Sequence, residues 1–381
     1  MNNIPLHGTY KNTALAGRYI TLSDLFPHIE NFSSRCTVSV EGHSVLGANL
    51  YSLRWGYGPK KILAWSQMHG NESTTTKAVF DIFHFFENSG AYNDAVARFL
   101  EQHTLLVLPM LNPDGAASYT RENANQVDLN RDAKKRTQPE SQVLRSVFER
   151  FKPDLCLNLH DQRTIYGVSG GTSATLSFLA PAADRKRSIT PARKTAMQLI
   201  AAMSEVLSAH IPGHIGRYDD TFNVNCVGDT FQKKGVPTIL FEAGHFPGDY
   251  QREQTRKYIF YAFLSLFDII ERPEPPYKKY FDIPENQNHF RDVVLRDISL
   301  PEVEGVQSIA IQFKEVLKDD TIRFVPHLDA IGSKLELRGH VEKNLNGKKV
   351  LINSHENVFV NEEIVTLTDE NGDSIEDFLA I

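Results

Sequence analysis

At ~150 residues per domain, 381 residues suffice for two or three domains, and a 41% hydrophobic fraction gives them a core, which excludes a disordered chain. The 41 Lys and Arg stand against 47 Asp and Glu, a net charge of −6, so no cationic excess points to a nucleic-acid or anionic-membrane partner. The longest apolar runs, such as Phe260 to Ile270 with Asp268 inside it, are too short to cross ~30 Å of hydrocarbon. The opening Met1-Asn2-Asn3-Ile4-Pro5 lacks the charged and apolar regions of an export signal. Cys36, Cys156 and Cys226 neither cluster like zinc ligands nor pair evenly. A soluble, cytoplasmic chain is the expectation.

Short apolar runs alternate with longer segments of helical period through the first two-thirds, which predicts an α/β fold: a mixed, mostly parallel sheet covered by helices. The expected strands are Cys36 to Val40, Ala48 to Trp55, Lys61 to Met68, Thr104 to Leu108, Asp154 to Leu159 and Thr238 to Phe241. Between them Thr74 to Asn88, Pro139 to Phe151, Arg193 to Leu207 and Glu253 to Ile270 space their apolar residues three and four apart, as helices do. Prolines 273, 275 and 276 then stop any helix, placing a boundary between a catalytic domain, 1–272, and a C-terminal β-rich domain, 273–381. In the latter Val306 to Phe313, Thr321 to Val325, Lys349 to Asn353 and Glu363 to Leu367 read as a small antiparallel β domain, with a turn at Leu345-Asn346-Gly347-Lys348. From Pro276 onward 12 basic residues face 20 acidic ones, a balance of −8 that leaves +2 for the rest. Asp369-Glu370-Asn371-Gly372-Asp373 begins like a calcium loop, but Ser374 and Ala380 stand where the turn glycine and closing Glu belong, so it reads as a solvated turn.

The strand from Lys61 runs into His69-Gly70-Asn71-Glu72, expected to put His69 at the strand tip and Glu72 in the first turn of the next helix. The strand from Asp154 ends at a second histidine, His160. Two histidines and a carboxylate at the carboxyl ends of parallel strands make an open zinc set, with a fourth position left for water, and this predicts hydrolysis. The proton needs a carrier, and Glu242 stands at the end of the apolar strand Thr238 to Phe241. Other candidates fail: Pro212 and Gly213 break up His210 and His214, and Gly167-Val168-Ser169-Gly170-Gly171-Thr172 lacks the lysine of a phosphate loop and reads as a cleft wall.

Asn112-Pro113-Asp114-Gly115, then Arg121, then Asp128-Leu129-Asn130-Arg131 lie between these ligands. With them the series from about residue 36 to 270 resembles the zinc carboxypeptidases of the carboxypeptidase A family, closer to its compact bacterial branches. The resemblance implies one zinc ion on His69, Glu72 and His160, with Glu242 as the general base that activates the bound water and later protonates the departing amine. It implies that Arg121 polarises the scissile carbonyl, that Asn130 and Arg131 hold the free carboxylate of the substrate, and that Asp128 orients His69. Tyr218, in the stretch of the family's mobile tyrosine, is a further candidate substrate contact.

The implied function is a metallocarboxypeptidase that cuts an amide next to a free carboxylate. The Gly-Asn of His69-Gly70-Asn71-Glu72 also resembles the aspartoacylase and succinylglutamate desuccinylase group, which makes an N-acyl amino acid deacylase the alternative. The short spacings further resemble enzymes that trim γ-D-glutamyl peptides of cell-wall fragments. The partner is then a peptide or N-acyl amino acid. The resemblance also implies a wall upstream of the catalytic Glu that faces the terminal side chain; aligned back from Glu242 without gaps it falls on Cys226-Val227-Gly228, an apolar pocket, whereas a slip to Asp229 would select a basic group.

Overall fold

In the strand that leads to His69, Ile62 and Ala64 join one apolar cluster while Leu63 and Trp65 join another. A strand that buries both faces needs helices on both, the arrangement of a mostly parallel sheet. The structure, a computed structural model, describes residues 4–32, 36–301, 303–354 and 358–375.

Up to residue 243 its strands are β1 (Cys36–His43), β2 (Asn49–Trp55), β3 (Lys60–Ser66), β4 (His103–Leu108), β5 (Leu155–Asp161), β6 (Tyr166–Val168), β7 (Thr172–Ser173), β8 (Leu176–Leu179), β9 (Ile215–Arg217) and β10 (Thr238–Ala243). Eight form one sheet in the order β1-β2-β4-β3-β5-β10-β8-β9. Its centre, β4-β3-β5-β10, is parallel, while β1, β2 and β8 add antiparallel pairings. Helices Thr74–Glu87, Pro191–Ser208 and Glu253–Leu266 cover one face through residues such as Phe83, Met197 and Phe263. Helices Pro139–Phe151 and Val227–Lys233 cover the other through Val147, Phe148 and Phe231. The last large helix ends at Leu266, short of Ile270, because the chain turns left-handed at Asp268. Helices Leu22–Glu30, Asn93–Gln102 and Pro113–Ser118 and the short strands β6 to β9 add to the expected elements.

The proline-rich stretch does not lead straight into a separate body. Tyr280 and Ile283 remain in the core of the large sheet, and the Tyr280 hydroxyl accepts from the Ala180 N–H at 3.2 Å. Then come β11 (Gln287–Asn288), β12 (Phe290–Ser299), β13 (Val306–Lys318), β14 (Thr321–Gly332), β15 (Arg338–Ile352) and β16 (Leu367–Asp369). The last five form a second sheet, β14-β13-β12-β15-β16, around Val293, Leu295, Ile311 and Leu328. Its pairings are antiparallel except β12 with β15, which are parallel. The turn expected at 345–348 lies inside β15: Asn346 and Gly347 take positive φ where the β12 register shifts, so Asn-Gly makes a bulge and no hairpin. Of the expected strand Glu363 to Leu367, Leu367 begins β16 and Glu363 makes one bridge to His327. The Asp369 carboxylate accepts the N–H groups of Asn371 and Asp373, closing a polar turn. Among the described residues no helix is long and apolar enough to cross a membrane.

Candidate metal centre and cleft

β3 stops at Ser66, three residues before His69, because Gln67 turns left-handed (φ 46°) and its side chain donates to the carbonyls of Ile20 and Gly70 at 2.8 and 2.9 Å. Glu72 likewise precedes the helix, which starts at Thr74; its N–H donates to the His69 carbonyl at 3.1 Å. This tight turn, and not a helical face, brings the two side chains together, with Glu72 Oε1 2.8 Å from His69 Nδ1. Gly70 is required there, since a Cβ would come within 1.9 Å of the Gly115 carbonyl carbon. Asn112 braces the contact, accepting from Gly115 N at 2.9 Å and donating to the carbonyls of Met68 and Glu122. The Asn-Pro-Asp-Gly motif is therefore the bed on which the first two candidate ligands rest.

His160 and Glu242 arrive by register. β5 and β10 are parallel neighbours with His160 opposite Glu242, and each follows a residue, Leu159 or Phe241, that points into the same core. Strand alternation then puts both functional groups on the other face. Buried Arg252 ties the two strand ends, donating to the carbonyls of Ala243 and Gln162 at 2.7 and 2.9 Å.

His69 Nδ1, His160 Nδ1 and a Glu72 oxygen lie within 4.8 Å of one another, all buried. The opposite nitrogen of His69, Nε2, donates to Asp128 Oδ1 at 3.0 Å, which leaves the Nδ1 lone pair free to face the other two groups. Burial pushes the His160 pKa down and so favours its neutral, ligating form. Glu72 Oε2 also accepts from the Asp161 N–H at 3.1 Å. Three convergent nitrogen and oxygen donors with a fixed tautomer fit a divalent ion such as zinc.

Arg121 reaches the same point. Its Nη1 is 3.3 Å from Glu72 Oε1, and its Nε and Nη2 bond Asp128 at 3.1 and 3.0 Å. Burial alone would raise the Asp128 pKa, but its hydrogen bond to His69 and the charge of Arg121 hold it well below the usual range. Glu242 goes the other way: desolvation and the nearby Glu72 and Asp161 carboxylates push its pKa well above the usual range. Burial, with the Glu242 carboxylate adding to it, pushes the Tyr218 phenol pKa well above its usual value, and the Tyr218 ring packs on Tyr166 at 5.3 Å. Tyr166 opens β6, so the glycine-rich stretch does border this region.

Asn130 and Arg131 follow the turn that Asp128 caps. The Asn130 side chain accepts from Val227 N at 3.0 Å, and exposed Arg131 contacts Cys226 Sγ at 3.3 Å. Val227, expected as a pocket wall, packs instead with Leu129 and Phe231 in the core, because the helix Val227–Lys233 turns it inward. The buried Asp229 carboxylate accepts from Asn223 N at 3.0 Å, and burial pushes its pKa up to about 6.

Residues without a recognisable motif complete the cleft. A cavity of about 580 Å³ lies between the metal centre and the second sheet, with Arg18, Asn71, Glu72 and Arg121 on one side and Lys314 and Glu315 on the other. Glu315 pairs with buried Arg18 at 3.1 Å and accepts a short hydrogen bond from Tyr119, two residues before Arg121. Arg18 lies in the N-terminal stretch and Glu315 in an acidic β region, where neither spacing nor neighbours mark them.

The sequence model of the zinc carboxypeptidase family matches residues 25–225. Carboxypeptidase 2 of Trichophyton tonsurans is 30% identical over 103 residues, 26% of this chain and 19% of that protein. Carboxypeptidase SOL1 of Arabidopsis thaliana is 29% identical over 124 residues, 30% of this chain and 25% of that one. The chain thus matches only about a fifth to a quarter of the length of these curated relatives. Among solved structures, the metallo-carboxypeptidase of Burkholderia cenocepacia superposes with a TM-score of 0.52 at 14% identity, over 65% of this chain and 68% of that one. That of Pseudomonas aeruginosa gives 0.51 at 18% identity, over 65% and 67%. At such identities the likeness is one of fold.

Proposed function

The chain belongs to the zinc carboxypeptidase family, whose cofactor is one zinc ion, and from that premise we propose that it hydrolyses an amide bond next to a free carboxylate. The observation that carries the proposal is the convergence of His69, Glu72 and His160 with Glu242 in register beside His160. Zinc held by those three side chains supplies a Lewis acid and lowers the pKa of water toward ~7. Asn130 and Arg131 take the substrate carboxylate, Arg131 offering a planar fork that meets both oxygens. Arg121 stabilises the charge that develops on the carbonyl oxygen, an interaction that grows only as the bond breaks. Glu242, its proton affinity raised by burial and by its carboxylate neighbours, collects the proton of the attacking water and delivers it to the leaving amine. Asp128 holds the His69 tautomer. Tyr218 is a further substrate contact.

The burial of Val227 removes the apolar wall from the terminal side-chain pocket, and buried Asp229 then favours a lysine, an arginine or another amine-bearing terminal residue. In this reading residues 1–272 hold the chemical groups and 273–381 form the companion β unit. Metal analysis and product analysis test the whole. One zinc per chain, loss of turnover on chelation and stepwise shortening of peptides support it. Release of small acids from N-acyl amino acids without peptide shortening would replace it with the deacylase, whose substrates also offer a carboxylate to Asn130 and Arg131.

A further inference from the structure

Resting on that hydrolase reading, we propose that the cavity between the metal centre and the second sheet receives the acyl side of the scissile amide, and that Arg163 and Lys314 make it select an acyl group bearing a carboxylate. Direction comes from the lining. Arg121, Asn71 and Glu72 open onto the cavity, whereas the carboxylate-holding Asn130 and Arg131 are not on its wall. A substrate fixed at Asn130 and Arg131 and crossing the metal must therefore continue past Arg121 into this space. At about 580 Å³ it has the size of a small-molecule site, room for one or two residues' worth of acyl group.

The charge pattern supplies the selectivity. Each carboxylate on the wall has at least one partner within the protein, although Asp161 Oδ1 has none among the described residues. Glu72 meets the two histidines, Asp161 accepts from Thr74 N, and Asp329 pairs with Arg291. Asp292 accepts from Tyr250, Gln312 and Phe313 N, and Glu315 from Arg18 and Tyr119. Of the cations, Arg18 and Arg121 are committed to Glu315 and Asp128. Arg163 and Lys314 line the same cavity, are exposed, and make no ion pair among the described residues. Arg163 lies three residues beyond His160, so its Cα is within roughly 11 Å of that ligand's. Lys314 sits between the lining residues Phe313 and Glu315, and Glu315 pins that strand over the Arg121 loop. Arg163 and Lys314, two exposed cations without an ion pair on the wall of a cavity whose Glu72, Glu315 and Asp329 are held by basic side chains, attract a substrate anion and give a cationic acyl group no free partner of their own.

The test uses the full-length zinc-loaded protein and N-acetyl dipeptides that share one terminal residue and differ in the acyl-side residue, Glu against Gln and Asp against Asn. The expected result is a kcat/KM ratio of about ten or more in favour of each acid, shrinking as salt screens the exposed cations. In the Arg163→Gln/Lys314→Gln double variant the ratio falls toward one; both side chains are exposed, so the fold is untouched. Equal rates for acid and amide in the wild type, or a preference that survives in the double variant, would overturn the subsite while leaving the hydrolase reading intact. Failure to cleave any peptide of the panel, with zinc bound, would overturn the hydrolase reading itself and the subsite with it.

Discussion

Strand β10 of the large sheet turns Ile239, Phe241 and Ala243 into the core and keeps Glu242 for the opposite face, while β13 of the second sheet buries Ile309, Ile311 and Phe313 and then leaves Lys314, Val316 and Lys318 exposed. The first strand is boxed in by helices on both sides and ends at a site; the second runs out of its core and offers its free end as a wall. In a parallel sheet every strand delivers its carboxyl end to one edge, so chemical groups from distant stretches meet there without long loops. A mostly antiparallel sheet alternates its strand directions and assembles no such edge. What it contributes here is surface: Phe313, Lys314 and Glu315 along one side of the cavity. The chemistry should then depend on the first sheet in steps of many-fold, and the second sheet should act through stability and substrate choice.

The largest effect is expected at Glu242. Glu242→Gln keeps the shape but cannot take up a proton and pass it on at working pH, so turnover should fall by about 10² to 10⁴-fold while zinc content stays at one per chain. Steady-state kinetics beside metal analysis of the same sample check this, and a variant that lost its zinc would make Glu242 a ligand instead. Next comes Arg121→Gln, which in the proposed mechanism removes a donor to the developing oxyanion and should lower kcat/KM by about 10² to 10³-fold, close to 3–4 kcal/mol. Because the Arg121 side chain is 41% exposed, its thermal unfolding temperature should move little.

That same contrast explains what could be read from the sequence. Central strands are legible because burial on both faces writes an unbroken apolar run, as in Ile62 to Trp65, and the candidate ligands His69 and His160 stand out because each lies at or shortly after the end of such a run. Helix Pro139–Phe151 matched its expected bounds, its proline at the first position and its apolar residues three and four apart. Local detail was less visible. Nothing in the residue types announced that Gln67 turns left-handed and frees His69 and Glu72 from strand and helix, or that Asn346-Gly347 bulges within β15. Strand β12 was missed although it lies at the centre of its sheet, since Arg291, Asp292, Arg296 and Asp297 interrupt its apolar residues. Arg18, Glu315 and Arg252 act through long-range pairing, and a single sequence holds no trace of which distant charge a buried cation will meet.

Glu315→Gln sharpens the comparison by removing one charged contact between the two regions. Arg18, whose side chain is 4% exposed, would lose its anionic partner, and Tyr119 would lose its acceptor charge. Leaving a buried cation unpaired typically costs 3–5 kcal/mol; with Glu315 itself 24% exposed, about 3 kcal/mol is expected in urea unfolding. Since Tyr119 precedes Arg121 by two residues, kcat/KM should fall as well, with zinc retained. Unchanged kinetics in a destabilised variant would show that the second sheet supports the fold and does not position the site.

The smallest effect is expected at Asp292, which lies on the cavity wall with no exposure and has its pKa pushed up to about 6 by burial, against hydrogen bonds from Phe313 N and Tyr250 that work to lower it. An unfolded aspartate titrates near ~4, so between about pH 4 and pH 6 the folded chain holds a proton that the unfolded chain has released. Folding stability contributed by this group is therefore present at low pH and is lost as pH rises through that window, the reverse of a salt-bridged carboxylate. The full shift corresponds to nearly 3 kcal/mol, and relaxation around the charge should leave about 2 kcal/mol. Asp292→Asn holds nearly the same shape without the titration: its amide can accept from Phe313 N and donate to the Tyr250 hydroxyl. Urea midpoints measured from pH 4 to pH 8 on both proteins isolate the difference, because every other titrating group is shared. The variant should gain on the wild type by about 2 kcal/mol between those limits, nearly all of it below pH 7. Parallel curves would mean that Asp292 titrates alike in the folded and unfolded chain, its three donors balancing its burial.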